Sequence, residues 1–303
     1  MSFSMELKTE LANVKLPKCC NKAMLAGILQ IAGHIHLSHD GLMIEFQSKN
    51  ETVAKRVEFL IKNIFKVEAT VLAKKQTKLN KMDIYLVQIF DKDRIILNEL
   101  HLLDESNIDL SKECCKKAYV KGAFLATGSI NNPETSSYHM EIQTFDLDSA
   151  NFLCDSLNEF DLKAKVTKNK RGYIVYIKEA ERISDFLRLV GAVNLLIEFE
   201  DFRIKRDFNN SINRVINCEI ANQKKAIEAS NRQMKHIHIL ENYMFGELKD
   251  TLKEAIFLRK EYPDLTLEEL SDMSEVHFKN RISKSALNHR FRMIKELAEK
   301  YVE

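Results

Sequence analysis

Between Ser283 and Lys295 the chain carries side chains suited to reading a nucleic acid. Lys284, Ser285, Asn288, His289, Arg292 and Lys295 recur at helical spacing, so a helix there presents them on one face. Arginine can fork onto guanine, asparagine can pair bidentately with adenine, and serine and lysine can hold phosphates or base edges. Lys279, Arg281, Ser283 and Arg290 flank or interleave this face and extend the candidate DNA contacts. From Val276 to Lys295 there are six basic residues and no acid, whereas Glu247 to Glu275 holds nine acids and four bases. The 303-residue chain has 46 basic and 44 acidic residues overall, so its positive charge is gathered where a reading helix would lie. The plainer reading of the same stripe is a solvated amphipathic helix with a chance basic face.

A second basic tract runs from Phe202 to Leu240, with eight bases against three acids. Arg203, Lys205, Arg206, Arg214, Lys224 and Lys225 are its candidates for contacts to a DNA backbone. Its middle is polar and rich in asparagine, and a helix is expected only from about Asn222 to Leu240. The tract is either a solvated connector or a basic arm lying along DNA.

Other reactive side chains point to less. The six cysteines include two adjacent pairs, Cys19-Cys20 and Cys114-Cys115, but no C-x-x-C spacing. They read as reduced, small core hydrophobes with no spacing for structural zinc. His34, His36 and His39 cluster without a Cys or acid at ligand spacing. No metal, cofactor, catalytic residue or small-molecule substrate is therefore expected.

The elements that would position the basic face are legible. Leu248, Leu252, Ala255, Ile256 and Leu258 share a helix face that stops before Pro263. Thr266 and Glu269 form a capping box, with Leu265 and Leu270 as its hydrophobic staple. The pattern breaks after Met273 and restarts at Ser283, with Ile282 and Leu287 as a second staple. The last helix should bury Leu287, Phe291, Ile294, Leu297 or Ala298, and Tyr301. Two helices so arranged read as a helix-turn-helix. Ser274 to Ile282 is long for its turn: it is either a loop touching phosphates or the end of a helix that continues past Met273.

The rest of the chain is organised by a repeat. Cys19-Cys20-Asn21-Lys22-Ala23-Met24-Leu25-Ala26-Gly27, running on through Gly33, recurs without a gap as Cys114-Cys115-Lys116-Lys117-Ala118-Tyr119-Val120-Lys121-Gly122, running on through Gly128. Each copy reads as a buried helix, and each is followed by a strand–strand–helix–strand–strand–helix pattern. Two such units can pack about a pseudo-two-fold with the matching helices in contact, which accounts for the glycines. Eight Gly and three Pro in the whole chain fit long elements joined by short turns. The N-terminus lacks a secretory signal, and no apolar run reaches 18 residues: Phe186 to Phe199 is broken by Arg188 and Asn194. A soluble protein of the cytoplasm, associated with the nucleoid and not the membrane, is the expectation.

The helices Leu25 to Gly33 and Val120 to Gly128 resemble the motif of LAGLIDADG homing endonucleases. In those enzymes an acid before the last glycine holds divalent metal; here the positions are Ala32 and Thr127, which cannot serve as carboxylate ligands. Asp40, Glu45 and Asp146, near strand or helix ends, are carboxylates that a surviving nuclease could use instead, though none occurs at matching places in both halves. Over nearly its full length the chain resembles the bacterial WhiA family, through Cys19-Cys20 with Leu25-Ala26-Gly27, Cys114-Cys115 with Gly122-Ala123-Phe124-Leu125, Asn213-Arg214 with Asn217-Cys218-Glu219 and Ala221-Asn222, and Ser283-Lys284-Ser285 with Asn288-His289-Arg290. The long Ser274 to Ile282 segment departs from the family's tighter turn. The resemblance implies an α+β protein: a two-repeat LAGLIDADG-like α/β domain at 1–200 (halves about 1–105 and 106–200), a basic, partly helical linker at 201–242, and an all-α helix-turn-helix domain at 243–303. It further implies double-stranded DNA at promoter regions as the partner, with transcriptional control tied to cell division and, in some lineages, sporulation. A protein partner for the N-terminal domain is a further expectation, and an architectural, largely nonspecific DNA-binding protein is the alternative.

Overall fold

The computed structural model describes residues 2–38, 41–74, 83–104, 108–134 and 137–301. They fall into two compact units, Met1–Arg206 and Asp207–Glu303.

The first unit opens with α1 (Phe3–Asn13) and then runs twice through one pattern. Its first half comprises α2 (Lys18–Ala32), β1 (Gly33–Ser38), β2 (Gly41–Ser48), α3 (Glu51–Phe65), β3 (Ala69–Lys74), β4 (Ile84–Asp91) and the short α4 (Ile95–Glu99). The second half comprises α5 (Glu113–Thr127), β5 (Ser129–Ile130), β6 (Met140–Thr144), α6 (Leu147–Asn158), β7 (Lys165–Asn169), β8 (Gly172–Ile177) and α7 (Ala180–Val190). Each half forms one antiparallel four-stranded sheet, ordered β1-β2-β4-β3 in the first and β5-β6-β8-β7 in the second. Alternate residues face the core, Leu42, Ile44 and Phe46 on β2 and Met140 and Ile142 on β6. The registers Ile44↔Ile89 and Ile142↔Val175 align the buried side chains of neighbouring strands, so that each sheet has one apolar face.

The matching helices α2 and α5 pack against each other and are buried along most of their length. A Cβ on Gly27 would collide with the Tyr119 carbonyl and stand 3.1 Å from the Ala123 nitrogen. A Cβ on Gly122 would collide with the Met24 carbonyl and stand 3.1 Å from the Ile28 nitrogen. These two glycines make the backbone approach, while Gly33 and Gly128 follow the helices as C-caps. The sequence reading did not anticipate α1, which ties the halves together. Ser4 Oγ donates to the Ile130 carbonyl at 2.7 Å and accepts from its N–H at 2.7 Å, while Asn50 Nδ2 donates to Thr9 Oγ1 at 2.9 Å.

One helix, α8 (Val193–Tyr243), crosses the boundary between the units. Leu195 and Phe199 near its start join the first core; Ile237 and Leu240 near its end join the second. The expectation of a partly helical linker, ordered only from about Asn222, is thereby corrected: the tract is helical throughout. The stretch contains no Gly or Pro to interrupt the i to i−4 ladder, so the helix runs on through residues 207–225, where every side chain is exposed although Phe208, Ile212, Val215, Ile216 and Ile220 recur at helical spacing. The second unit continues with α9 (Asp250–Glu261), α10 (Leu267–Phe278) and α11 (Lys284–Ala298). Among the described residues no helix is long and apolar enough to cross a membrane.

Candidate nucleic-acid interface

The second unit is built around α11. Leu287, Phe291, Ile294 and Ala298 are buried against Leu252, Ile256 and Leu258 of α9 and Leu270 of α10. Tyr301 departs from the expected buried stripe: it lies in a 3₁₀ turn, 42% exposed, and stacks on Tyr243 with centroids 5.5 Å apart. The capping box forms as read, with Thr266 N–H donating to Glu269 Oε2 at 2.7 Å and Glu269 N–H to Thr266 Oγ1 at 3.3 Å. Hydrogen bonds from the Thr266 backbone N–H and side chain hold the Glu269 carboxyl below its usual range, and the box starts α10 at a defined residue.

The break placed after Met273 is corrected. Helix α10 continues to Phe278 and ends at Lys279, which adopts a left-handed conformation (φ 56°) and donates its N–H to Glu275 O at 3.0 Å. The turn is therefore short, as a helix-turn-helix requires. Ser274 controls it: its buried hydroxyl donates to Ser271 O at 2.6 Å and accepts the Ile282 N–H at 2.7 Å. Ile282 is buried beneath the turn, and Ser283 caps α11 by accepting from Ala286 N–H at 3.2 Å.

A second device sets the angle of α11. Arg259, 2% exposed, donates from Nε to Gln233 Oε1 at 2.9 Å and from NH1 to the carbonyls of Leu265 at 2.6 Å and Pro263 at 3.2 Å. Its guanidinium lies 5.5 Å from the centroid of the Phe291 ring. Burial lowers its pKa to about 10, well above neutrality, so it stays charged while joining α8, α9, the α9–α10 loop and α11. Ser230 Oγ adds a hydrogen bond to Pro263 O at 2.5 Å. The sequence reading missed Arg259; the available signal was a cation three residues after Ile256 on the apolar face of α9.

With this frame in place, Lys284, Ser285, Asn288, His289, Arg292 and Lys295 are all exposed on α11. Arg292 NH2 approaches His289 Nδ1 at 3.1 Å, and Lys295 pairs with Glu299 at 3.5 Å. Lys279 is exposed at the end of α10. Two of the cations are held by acids on α10: Arg281 by Asp272 at 2.5 Å and Lys284 by Glu268 at 3.3 Å. Arg290 is turned away from the others, half-buried and bonded to Thr251 O at 2.9 Å and Glu254 Oε2 at 2.8 Å on α9. Ser283 spends its hydroxyl on the helix cap.

On α8, Arg214, Lys224 and Lys225 are exposed. Arg203 pairs with Glu200 at 3.5 Å, Lys205 lies 5.7 Å from the Phe202 ring, and the Arg206 guanidinium lies 4.9 Å from the Tyr138 ring.

The positions that would carry nuclease chemistry hold other roles. Thr127 Oγ1 donates to Gln143 O at 2.6 Å at the end of α5. Glu45 accepts from Gln88 at 2.7 Å and lies 3.4 Å from His36. Asp146 caps α6, accepting from the N–H and hydroxyl of Ser149, both at 2.8 Å. His34 and His36 lie exposed on β1; His39 and Asp40 lie outside the described residues. The view of the cysteines as core hydrophobes holds for Cys20 and Cys115; Cys19, Cys114 and Cys218 are exposed and Cys154 is half-buried. The expectation of no metal site is also revised, because Cys19, Cys20, Cys114 and Cys115 form one group among the described residues that could hold a metal ion. Sequence spacing hid it, since each pair comes from a different repeat.

Three family models match the chain in succession. Residues 18–103 match the model of the WhiA N-terminal LAGLIDADG-like domain, residues 116–209 that of the WhiA LAGLIDADG-like domain, and residues 212–298 that of the WhiA C-terminal HTH domain. A protein of Bacillus cereus (strain G9842) described as probable cell division protein WhiA is 43% identical over 309 residues, spanning 99% of this chain and 97% of that one. The crystal structure of full-length DUF199/WhiA from Thermatoga maritima superposes with a TM-score of 0.61 at 21% identity, covering 100% of both chains. That of the N-terminal LAGLIDADG domain of DUF199/WhiA does so at 0.52 and 22% identity, covering 63% of this chain and 90% of that one.

Proposed function

The chain belongs to the WhiA family, and from that premise we propose that it is a sequence-specific, DNA-binding regulator of transcription linked to cell division, without nuclease activity. The observation that carries this reading is the exposed row of Lys284, Asn288, Arg292 and Lys295 on α11, the second helix of a helix-turn-helix whose turn is pinned by Ser274. The N-terminal half of α11 enters the major groove, Asn288 and Arg292 meet base edges, and Lys279, Ser285, His289 and Lys295 hold phosphates or the groove margin. Arg281 and Lys284 leave Asp272 and Glu268 for phosphate as DNA arrives. Arg290 acts from behind, holding α11 on α9, and Ser283 from the helix cap. The protein works in the cytoplasm on the nucleoid, and the LAGLIDADG-like repeats add DNA contacts or receive a protein partner. Ala32 and Thr127 in place of acidic metal ligands support the assignment of a non-cleaving protein.

The exposed bases Arg214, Lys224 and Lys225 favour a second reading, an architectural protein whose binding is largely independent of sequence. A gel shift on fragmented genomic DNA with Mg²⁺ present, followed by sequencing of the retained fragments, separates the two. Intact fragments enriched in one motif near promoters are expected. Retention without enrichment means the architectural reading, and cut fragments would overturn the assignment of a non-enzyme.

A further inference from the structure

Four thiols that lie far apart in the sequence meet at the beginning of the two central helices. Cys19 and Cys20 are the second and third residues of α2, and Cys114 and Cys115 hold the same places in α5. The glycine-mediated packing of α2 on α5 brings their first turns together, and all four Sγ atoms lie within 4.8 Å of one another. Cys19 Sγ and Cys20 Sγ are 3.9 Å apart. Four sulfurs placed about 2.3 Å from a central zinc stand roughly 3.8 Å apart, so the thiols need to close by no more than about 1 Å.

We propose that Cys19, Cys20, Cys114 and Cys115 form a tetrahedral thiolate site for Zn²⁺ that joins the two repeats. Binding converts four thiols to thiolates, releases four protons to solvent and leaves a complex of charge 2−. Several features suit that charge. Both helices begin without a side-chain cap, at Pro17 and at Lys112, so the cysteines sit in the first turns, at the positive dipole ends. Lys112 lines the cleft that also holds Cys19 and Cys115, where Lys22 is paired with Glu99 at 2.8 Å. Cys20 and Cys115 are buried while Cys19 and Cys114 are exposed, which gives the ion a path in and a dry inner side. The site repeats the pseudo-two-fold of the halves, each contributing one exposed and one buried ligand.

The test uses the full-length chain, reduced and freed of metal by a chelator, then titrated with Co²⁺ as a spectroscopic substitute. One Co²⁺ per chain is expected, with the sulfur-to-metal charge transfer and intense visible bands of tetrahedral thiolate coordination, displaced by Zn²⁺. Cys19→Ser and Cys114→Ser, at exposed positions, should each weaken Co²⁺ binding by at least tenfold, and Zn²⁺ should raise the Tm of the parent but not of the double variant. Cys154→Ser and Cys218→Ser should bind as the parent does. No uptake by the reduced parent, equal uptake by the Cys19→Ser/Cys114→Ser double variant, or a spectrum without sulfur ligands would overturn the site. So would a thiol count showing that the pairs react only as a disulfide across the two helices.

Discussion

Asn288, Arg292 and Arg290 lie within five positions on α11, yet the tertiary structure separates their roles. Asn288 and Arg292 are exposed, whereas Arg290 is bonded to Thr251 and Glu254. Asn288→Ala and Arg292→Ala should each weaken specific DNA binding by about 1–3 kcal/mol with little change in stability; titrations against target and scrambled duplexes check this. Arg290→Ala should instead lower the unfolding midpoint, since it leaves a half-buried glutamate unpaired. Normal affinity in both Asn288→Ala and Arg292→Ala would mean that another face reads the bases. A different balance holds at Lys121, which is 4% exposed on α5. Burial, helped by nearby Arg56, lowers its pKa from 10.5 to about 8. Between those values the unfolded chain holds more protons than the folded one, so stability rises with pH across that window; below about pH 8 the cost of the buried charge is fully present. Lys121→Met should therefore stabilise the protein by about 1–3 kcal/mol at pH 7, with the gain fading toward pH 10.5. Urea unfolding at both ends of the window measures it, and a gain independent of pH would mean that the lysine keeps its ordinary pKa in the folded protein.

At the scale of elements, the α2–α5 crossing is the least tolerant feature. Gly122→Ala would gain up to about 1 kcal/mol of helix propensity and lose more, because its Cβ meets the Met24 backbone and not a side chain that can turn aside. A net loss of about 1–3 kcal/mol is expected, and a variant as stable as the parent would show that the helices can part without cost. Helix α8 shows the opposite case. Its residues 207–225 bury nothing, and a helix without a packed face is marginal in water. Amide exchange should accordingly be fastest there among the turns of α8, and trypsin should cut first near Arg214 or Lys224. The repeat, the capping box and α11 were legible because each leaves a local mark: a duplicated string, a Thr-x-x-Glu spacing, a 3.6-residue period. The end of α10 was not, because Phe278 continues the helix into a polar, charged stretch and a left-handed lysine, where a glycine would have announced the stop.

At the scale of the whole molecule, the salt dependence of DNA binding separates the part played by α11 from that of the long basic helix. If Lys224 and Lys225 neutralise phosphates, replacing both with Gln should reduce the slope of log affinity against log salt by about 2, roughly one per contact. An unchanged slope would place α8 off the DNA and leave recognition to α11. The sequence by itself determined the duplicated α/β halves, the loss of the acids at Ala32 and Thr127, the helix-turn-helix and its basic face, since residue type and period are local and survive without coordinates. Only the tertiary structure decided that Arg259 holds the frame of α11, that Arg290 faces inward, and that four cysteines of two repeats share one place. Each of those depends on which residues distant in the chain become neighbours, and that is settled by packing: here by two glycines that let α2 and α5 touch and by an apolar cluster that folds α9, α10 and α11 around a buried cation.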